Sequence, residues 1–139
     1  MGVVTKSIKL KSKGETDIID ITQQVAEYLA GSKVKDGLVT VFVSGSTGAL
    51  TTIEYEPGLV QDLKDAFEIL APRKGEYQHN LRWQDGNGYS HVRAALLGPC
   101  LSVPFSNKKM HLGTWQQIVF IDFDNRPRSR ELVVQILGE

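Results

Sequence analysis

Little in this chain would staple it, anchor it or charge it. One cysteine, Cys100, among 139 residues excludes an internal disulfide framework and a cysteine zinc cluster. With nothing nearby in sequence to lower its pKa, Cys100 reads as a buried, inert thiol at a strand start. No apolar run approaches the roughly 20 residues of a membrane span, and no secretory leader opens the chain. The start, Met1 to Lys6, lacks the hydroxyl residue of a myristoylation signal. A soluble, cytoplasmic protein is the expectation. Net charge is absent too, with 16 basic against 16 acidic side chains. That argues against a general electrostatic hold on nucleic acid or an anionic membrane, and removes one brake on self-association. There is no repeat and no low-complexity segment. The length suits one domain over residues 1–139.

What is present is an alternation of strand and helix signals. Val3 to Leu10 alternates in part, and its lysines, Lys6, Lys9, Lys11 and Lys13, suit a charged edge strand. Thr16 to Ile21 reads as a second strand, and Thr22 as the cap of a helix to about Ala30 with Val25, Ala26 and Leu29 inward. Gly37 to Ser44 is almost continuously apolar, which suits a central strand covered on both faces. Another strand runs from Ala49 to Tyr55. Pro57 then opens a helix in which Leu59, Val60, Leu63, Phe67 and Leu70 recur at helical spacing. Arg73 to Tyr89 is polar and aperiodic, and a loop of that length is usually functional when ordered. Ser90 to Leu97 suits a short helix. Strands follow at Leu101 to Phe105, Trp115 to Phe123 and Glu131 to Leu137. Strands come in consecutive groups, so the expected fold is α+β: a sandwich with a mostly antiparallel or mixed sheet and two or three helices.

Three segments could carry chemistry. Tyr77-Gln78-His79-Asn80 and Asp85-Gly86-Asn87-Gly88-Tyr89-Ser90-His91 put two imidazoles on either side of a carboxylate and amides. Imidazole titrates near neutrality and binds divalent metals, so the pair suits acid–base work or metal ligation. A zinc site needs three or four protein ligands, so Asp85 or the distant Glu54 would have to join. An ordered loop in which both histidines bond backbone is the plainer reading. Ser44-Gly45-Ser46-Thr47-Gly48 follows a buried strand, and such a loop can cradle phosphate with its amides and hydroxyls, although it lacks the lysine of a P-loop. An ordinary turn of small residues competes with that reading. Arg126, Arg128 and Arg130 could grip phosphate or serve as salt bridges. Trp115 and Gln116 offer a flat surface and an amide.

These residues together resemble the YjbQ-like family, also called secondary thiamine-phosphate synthase enzymes. The resemblance covers nearly the whole chain. It is carried by Thr51-Thr52-Ile53-Glu54, His79, Asp85 to His91, Ala94 to Pro99, Leu112 to Ile118 and Pro127 to Arg130. It implies an α+β fold assembled as a homotrimer with its polar site near subunit contacts. It further implies a small phosphorylated ligand, and a transferase activity joining a pyrimidine pyrophosphate to a thiazole phosphate. His79, His91 and Glu54 would be catalytic. Ser46, Thr47, Asn87, Trp115, Gln116 and Arg128 would bind phosphate and ligand. A divalent metal, zinc or magnesium, would sit on His79 and His91. Relatives often carry histidine where this chain has Gly45 and Tyr89, so a metal site relying on either would lack a ligand here. A metabolite- or metal-binding protein without turnover is the alternative.

Overall fold

The computed structural model describes residues 1–139. Two antiparallel sheets and four helices make up the chain. Strands β1 (Gly2–Ser12), β8 (Arg128–Gly138), β3 (Gly37–Val43), β5 (Cys100–Ser106) and the short β6 (Lys109–Met110) form one sheet in that order. Strands β2 (Asp17–Asp20), β7 (Gln117–Asp122) and β4 (Gly48–Ile53) form the other. Every pairing is antiparallel. The α+β expectation therefore holds, with two sheets rather than one mixed sheet.

Strand β7 explains the layering. Ile118 and Phe120 join the core between the sheets, whereas Val119, Ile121 and Phe123 join a second core on the opposite face. A strand's side chains alternate faces, so a run buried on both reads as continuously apolar. The first core also takes Val39, Val41 and Val43 of β3, Leu132, Val134 and Ile136 of β8, and Val25 and Leu29 of helix α1 (Thr22–Gly31). The second is closed by Phe67 of helix α2 (Pro57–Leu70) and Ala94 of helix α4 (Gly88–Leu97). Phe67 meets Phe123 edge-on, 4.8 Å between ring centroids.

Start signals worked unevenly. Pro57 does open α2, and the Glu56 carboxylate accepts from the Gly58 and Leu59 amides. Helix α1 has Ile21, not Thr22, at its cap. Thr22 instead accepts from the Ile118 amide and leans on Asp20. The segment taken for a loop contains helix α3 (Gln78–Trp83), closed by Gln84 at φ 54°. Six residues are too few to show a period. Cys100 is exposed, not buried, because alternation along β5 turns it away from the core with Ser102 and Pro104. Leu70 is exposed as well.

The lysine-bearing β1 is indeed an edge strand. The outer face of its sheet carries rows set by register. Val3 stands opposite Leu137, Leu137 opposite Leu38, and Leu38 opposite Pro104. Val3, Leu38, Leu137 and Phe42 are all at least 40% exposed. No helix is long and apolar enough to cross a membrane.

Candidate functional site

The turn between β1 and β2 sets up the site. Gly14, Glu15 and Thr16 all have positive φ, at 73°, 55° and 62°. Left-handed backbone is costly for residues with a Cβ, and such strain persists only where the surroundings over-determine it. Three contacts do so here. The Glu15 amide donates to the Asp124 carbonyl at 2.7 Å. Tyr89 of α4 donates its hydroxyl to Glu15 Oε2 at 2.7 Å. Arg93 of α4, almost wholly buried, donates to Thr16 Oγ1, to the Ala71 carbonyl and to Glu68. Burial first, then the bond to Glu15, pushes the Tyr89 hydroxyl up to about 12. The turn thus clamps α4 to the loop that follows β7.

The last residue of β7, Asp122, and Asp124 in that loop are two fully buried carboxylates. Asp122 accepts a side-on fork from Arg130, Nε to Oδ2 at 2.8 Å and Nη2 to Oδ1 at 2.9 Å, and a bond of 2.5 Å from Ser12. Thr47 accepts from Arg130 Nη2 at 2.7 Å and donates to Asp124 Oδ2 at 2.9 Å. Arg128 pairs with Asp124 at 3.0 Å, and Asn87 Nδ2 reaches the same carboxylate at 3.4 Å. Burial pulls the Asp124 carboxyl upward, but the bonds from Arg128 and Thr47 outweigh it and hold it below the ordinary carboxylate range. The Asp122 bonds, ahead of the opposing burial, raise Arg130.

Beside this network the two histidines meet. Their ring centroids are 4.3 Å apart and the planes tilt by 37°. His79 comes from α3 and His91 from the first turn of α4. Asn80 Oδ1 ties the two helices by accepting the Gly88 amide, and Gly88 is required there because a Cβ would meet Tyr77 Cβ at 2.5 Å. His79 Nδ1 lies 3.5 Å from Asp85 Oδ1, outside hydrogen-bond geometry, and has no other partner although buried. Asp124 Oδ1 and Arg128 Nε are likewise buried without partners. Burial, then the neighbouring His79, lowers the His91 pKa below that of a free imidazole, so His91 is neutral at neutral pH with a lone pair to offer. Next to it is a cleft of about 420 Å³ lined by Gly45, Ser46, Gly48, His91, Ala94 and Pro99, among others.

The sequence-derived residues therefore divide. His79, His91, Ser46, Thr47, Asn87 and Arg128 share one end of the three-stranded sheet. Thr47 and Asn87 are buried in the carboxylate network, and Arg128 is paired within it, so Ser46 is the member left open on the cleft. Glu54, Trp115 and Gln116 are at the opposite end, since Gly48 pairs with Asp122 whereas Ile53 pairs with Gln117. Seven residues of extended chain between Thr47 and Glu54 span roughly 20 Å. Trp115 is 71% exposed, and Gln116 bonds Thr52. Within one chain Glu54 does not join the histidines.

No three His, Cys, Asp or Glu side chains are placed to hold an ion. At the two positions where the family resemblance implies histidine, Gly45 has no side chain and the Tyr89 hydroxyl is committed to Glu15. Two imidazoles fall short of the three protein ligands of a catalytic zinc. The residues of one chain do not complete a metal site.

Asp122 and Asp124 were overlooked in the sequence. The available signal was parity, because Asp122 shares its face with Ile118 and Phe120 and must point inward, where a carboxylate demands a cation.

Comparison with known proteins agrees with this fold. The profile described as "UPF0047 protein YjbQ-like" matches residues 6–139. A UPF0047 protein of Methanothermobacter thermautotrophicus is 37% identical over 139 residues, covering 100% of this chain and 95% of its own. One from Archaeoglobus fulgidus is 39% identical over 130 residues, covering 94% and 98%. The crystal structure of a YbjQ-like protein of unknown function from Sulfolobus solfataricus superposes with a TM-score of 0.94 at 31% identity, covering 99% of each chain. A hypothetical protein from Aeropyrum pernix gives 0.90 at 31% identity, covering 98% and 99%. With its whole length aligned to these relatives, the chain belongs to the YjbQ-like UPF0047 family.

Proposed function

We propose that the cleft beside His91 binds a small phosphorylated metabolite and that the histidine pair performs proton transfer on it. The observation that carries this reading is the contact of the His79 ring with His91, 4.3 Å between centroids, with His91 lining a cleft that Gly45 and Ser46 also line. A neutral imidazole carries one N–H donor and one lone pair, so His91 can give a hydrogen bond to an oxygen of the ligand or accept one from it. In the transferase chemistry that the family resemblance implies, the attacking thiazole nitrogen carries no proton, so the imidazole pair would act on the leaving group, an N–H donating to the departing pyrophosphate oxygen. A thiazole nitrogen would bond to the methylene carbon of a pyrimidine pyrophosphate as its carbon–oxygen bond breaks and pyrophosphate leaves. Hydrogen-bond donors at the cleft would stabilise the departing charge.

A homotrimer, in the cytoplasm, is the proposed working form. The apolar rows on the uncovered sheet face support self-association, because contiguous exposed apolar surface marks an interaction site. A neighbouring copy could then offer Trp115, Gln116 and Glu54 to the cleft. Binding without turnover is the second reading, favoured by Arg128 and Arg130 being already paired with carboxylates. The test is incubation of the purified protein with the two phosphorylated precursors, reading thiamine phosphate by fluorescence after oxidation. The expected result is product with the wild type and none with the folded His79→Ala/His91→Ala variant. Equal rates would overturn the catalytic role of the pair. Ligand-dependent thermal shift without product would select the second reading.

A further inference from the structure

We infer that Asp85 is the positioning residue of the histidine pair: its carboxylate keeps the proton of the neutral His79 ring on Nδ1 and so leaves the lone pair on Nε2. His79 is then the acceptor of the pair, and the N–H offered to a leaving oxygen comes from His91. The division of labour rests on the proton-transfer reading above, whereas the tautomer rests on geometry alone.

Three observations support it. The first is the orphan nitrogen itself. His79 Nδ1 is buried without a hydrogen-bond partner, and Asp85 Oδ1 stands 3.5 Å from it. With the proton on Nδ1 the ring presents a donor to the carboxylate. With the proton on Nε2, a lone pair would face an acceptor-only group and neither could donate. Only the first tautomer can turn this contact into a bond, and buried polar atoms are rarely left without one. Hydrogen bonds of this kind are often long before a ligand arrives and tighten with it.

The second is how Asp85 is held. Gln84 at φ 54° and Gly86 at φ 65° reverse the chain on either side of it, which brings a residue beyond the end of α3 back beside one in its first turn. The Asn87 amide donates to Asp85 Oδ1 at 3.1 Å, and Asn125 Nδ2 donates to the Asp85 carbonyl at 2.8 Å. The Asn125 amide in turn donates to Asn87 Oδ1 at 3.2 Å, so the loop after β7 anchors the carboxylate. Asp85 is 46% exposed on its side chain, so its charge needs no buried counter-ion, unlike those of Asp122 and Asp124. The third is the far side of the ring. His79 Nε2 has no partner in the chain either, but it is not buried, so a lone pair left there is available. The contact of 4.3 Å between ring centroids sets this acceptor beside the imidazole that lines the cleft.

The experiment is long-range proton–nitrogen NMR of the 15N-labelled wild type, Asp85→Ala and Asp85→Asn at about pH 9, above the ordinary imidazole range. It reads the two ring nitrogens of each histidine. The wild type should show His79 mainly as the Nδ1–H tautomer, with Nε2 at the shift of an unprotonated nitrogen. Asp85→Ala should lower the ratio of Nδ1–H to Nε2–H about tenfold, the worth of a charge-assisted hydrogen bond, while the amide signals of the two sheets stay in place. Should Asp85→Ala fail to fold, Asp85→Asn still has to lower the ratio several-fold. An amide oxygen is the weaker acceptor, and an amide N–H turned to Nδ1 would reverse the tautomer. A wild type with His79 mainly as Nε2–H overturns the assignment. So does a ratio that Asp85→Ala, or Asp85→Asn where the first variant is unfolded, leaves unchanged. Incubation with the two phosphorylated precursors separates this assignment from the reading it serves. A wild type with the Nδ1–H tautomer and no product keeps the tautomer and overturns the proton transfer, whereas product from a protein with His79 as Nε2–H does the reverse.

Discussion

The two ends of the three-stranded sheet are built on opposite principles. At the Asp122 end, the Asp122 and Asp124 carboxylates, the Arg130 guanidinium and the Ser12 and Thr47 hydroxyls are buried or nearly so, and each is positioned by another polar group. At the Gln117 end, Glu54, Tyr55 and Trp115 stand in solvent, joined only by single bonds such as the Tyr55 amide to Gln117 at 3.1 Å. A buried charge is tolerable only when paired and hydrogen-bonded, so the first end has one arrangement open to it. The second can adapt to whatever approaches. Rigidity belongs where atoms must be held to a fraction of an ångström, and exposure where a partner completes the surface.

Removing Asp122 should have the largest effect. Asp122→Ala leaves the Arg130 guanidinium buried beside an unpartnered Ser12, and breaking a buried pair costs about 3–5 kcal/mol. Urea unfolding should show that loss, and a change under about 1 kcal/mol would mean the end is solvated and the contrast false. Next comes Gly14→Ala. A Cβ there would meet the Arg126 carbonyl at 2.5 Å with φ at 73°, and strain of this kind costs about 1–3 kcal/mol. Because the turn clamps α4, the NMR contacts between the His79 and His91 rings should weaken in the same variant.

Acidification should act more gently. The His91 pKa is lower folded than unfolded, so the unfolded chain binds more protons as pH drops below the ordinary histidine value. Stability from this group is complete above that value and is lost as pH falls through the folded pKa. Asp124, also depressed, adds a loss at lower pH, through the carboxylate range. Melting between pH 7.5 and 5 should therefore fall, and His91→Gln should flatten the first part of that slope. Glu54→Ala and Trp115→Ala should change the stability of a single chain least, within about 0.5 kcal/mol for a surface site. If they alter assembly or ligand binding by tenfold while melting barely moves, the exposed end is the one that meets a partner.

These contrasts also show where the sequence was readable. The Pro57 start of α2 reports backbone geometry directly and survives in the structure, whereas the apolar run of β3 suggests a strand covered on both faces and is central but covered on one, with Leu38 and Phe42 on the open face. His79 and His91 stood out because imidazole is rare and sits here among glycines. The ion pairs were not readable in the same way. Arg128 and Arg130 read equally as phosphate donors or as salt-bridge partners, since nothing local says that Asp122, eight residues before Arg130 on another strand, claims one of them. Glu54 belonged to the same motif set as the histidines, yet a strand carries it away from them. The exposure of Cys100 follows from alternation along β5, a parity that its two flanking neighbours alone do not reveal.

The long pairing of β1 with β8 has a kinetic consequence. Residues 2–12 zip onto residues 128–138 through eleven partners, contacts separated by more than a hundred residues. Closing so large a loop is entropically late, and chains dominated by such distant pairings fold slowly. Arg128 and Arg130 arrive with that last strand, and Ser12 with its partner. The buried network around Asp122 is thus complete only in a chain whose first and last strands have paired, because Ser12 and Arg130 are carried by those two strands.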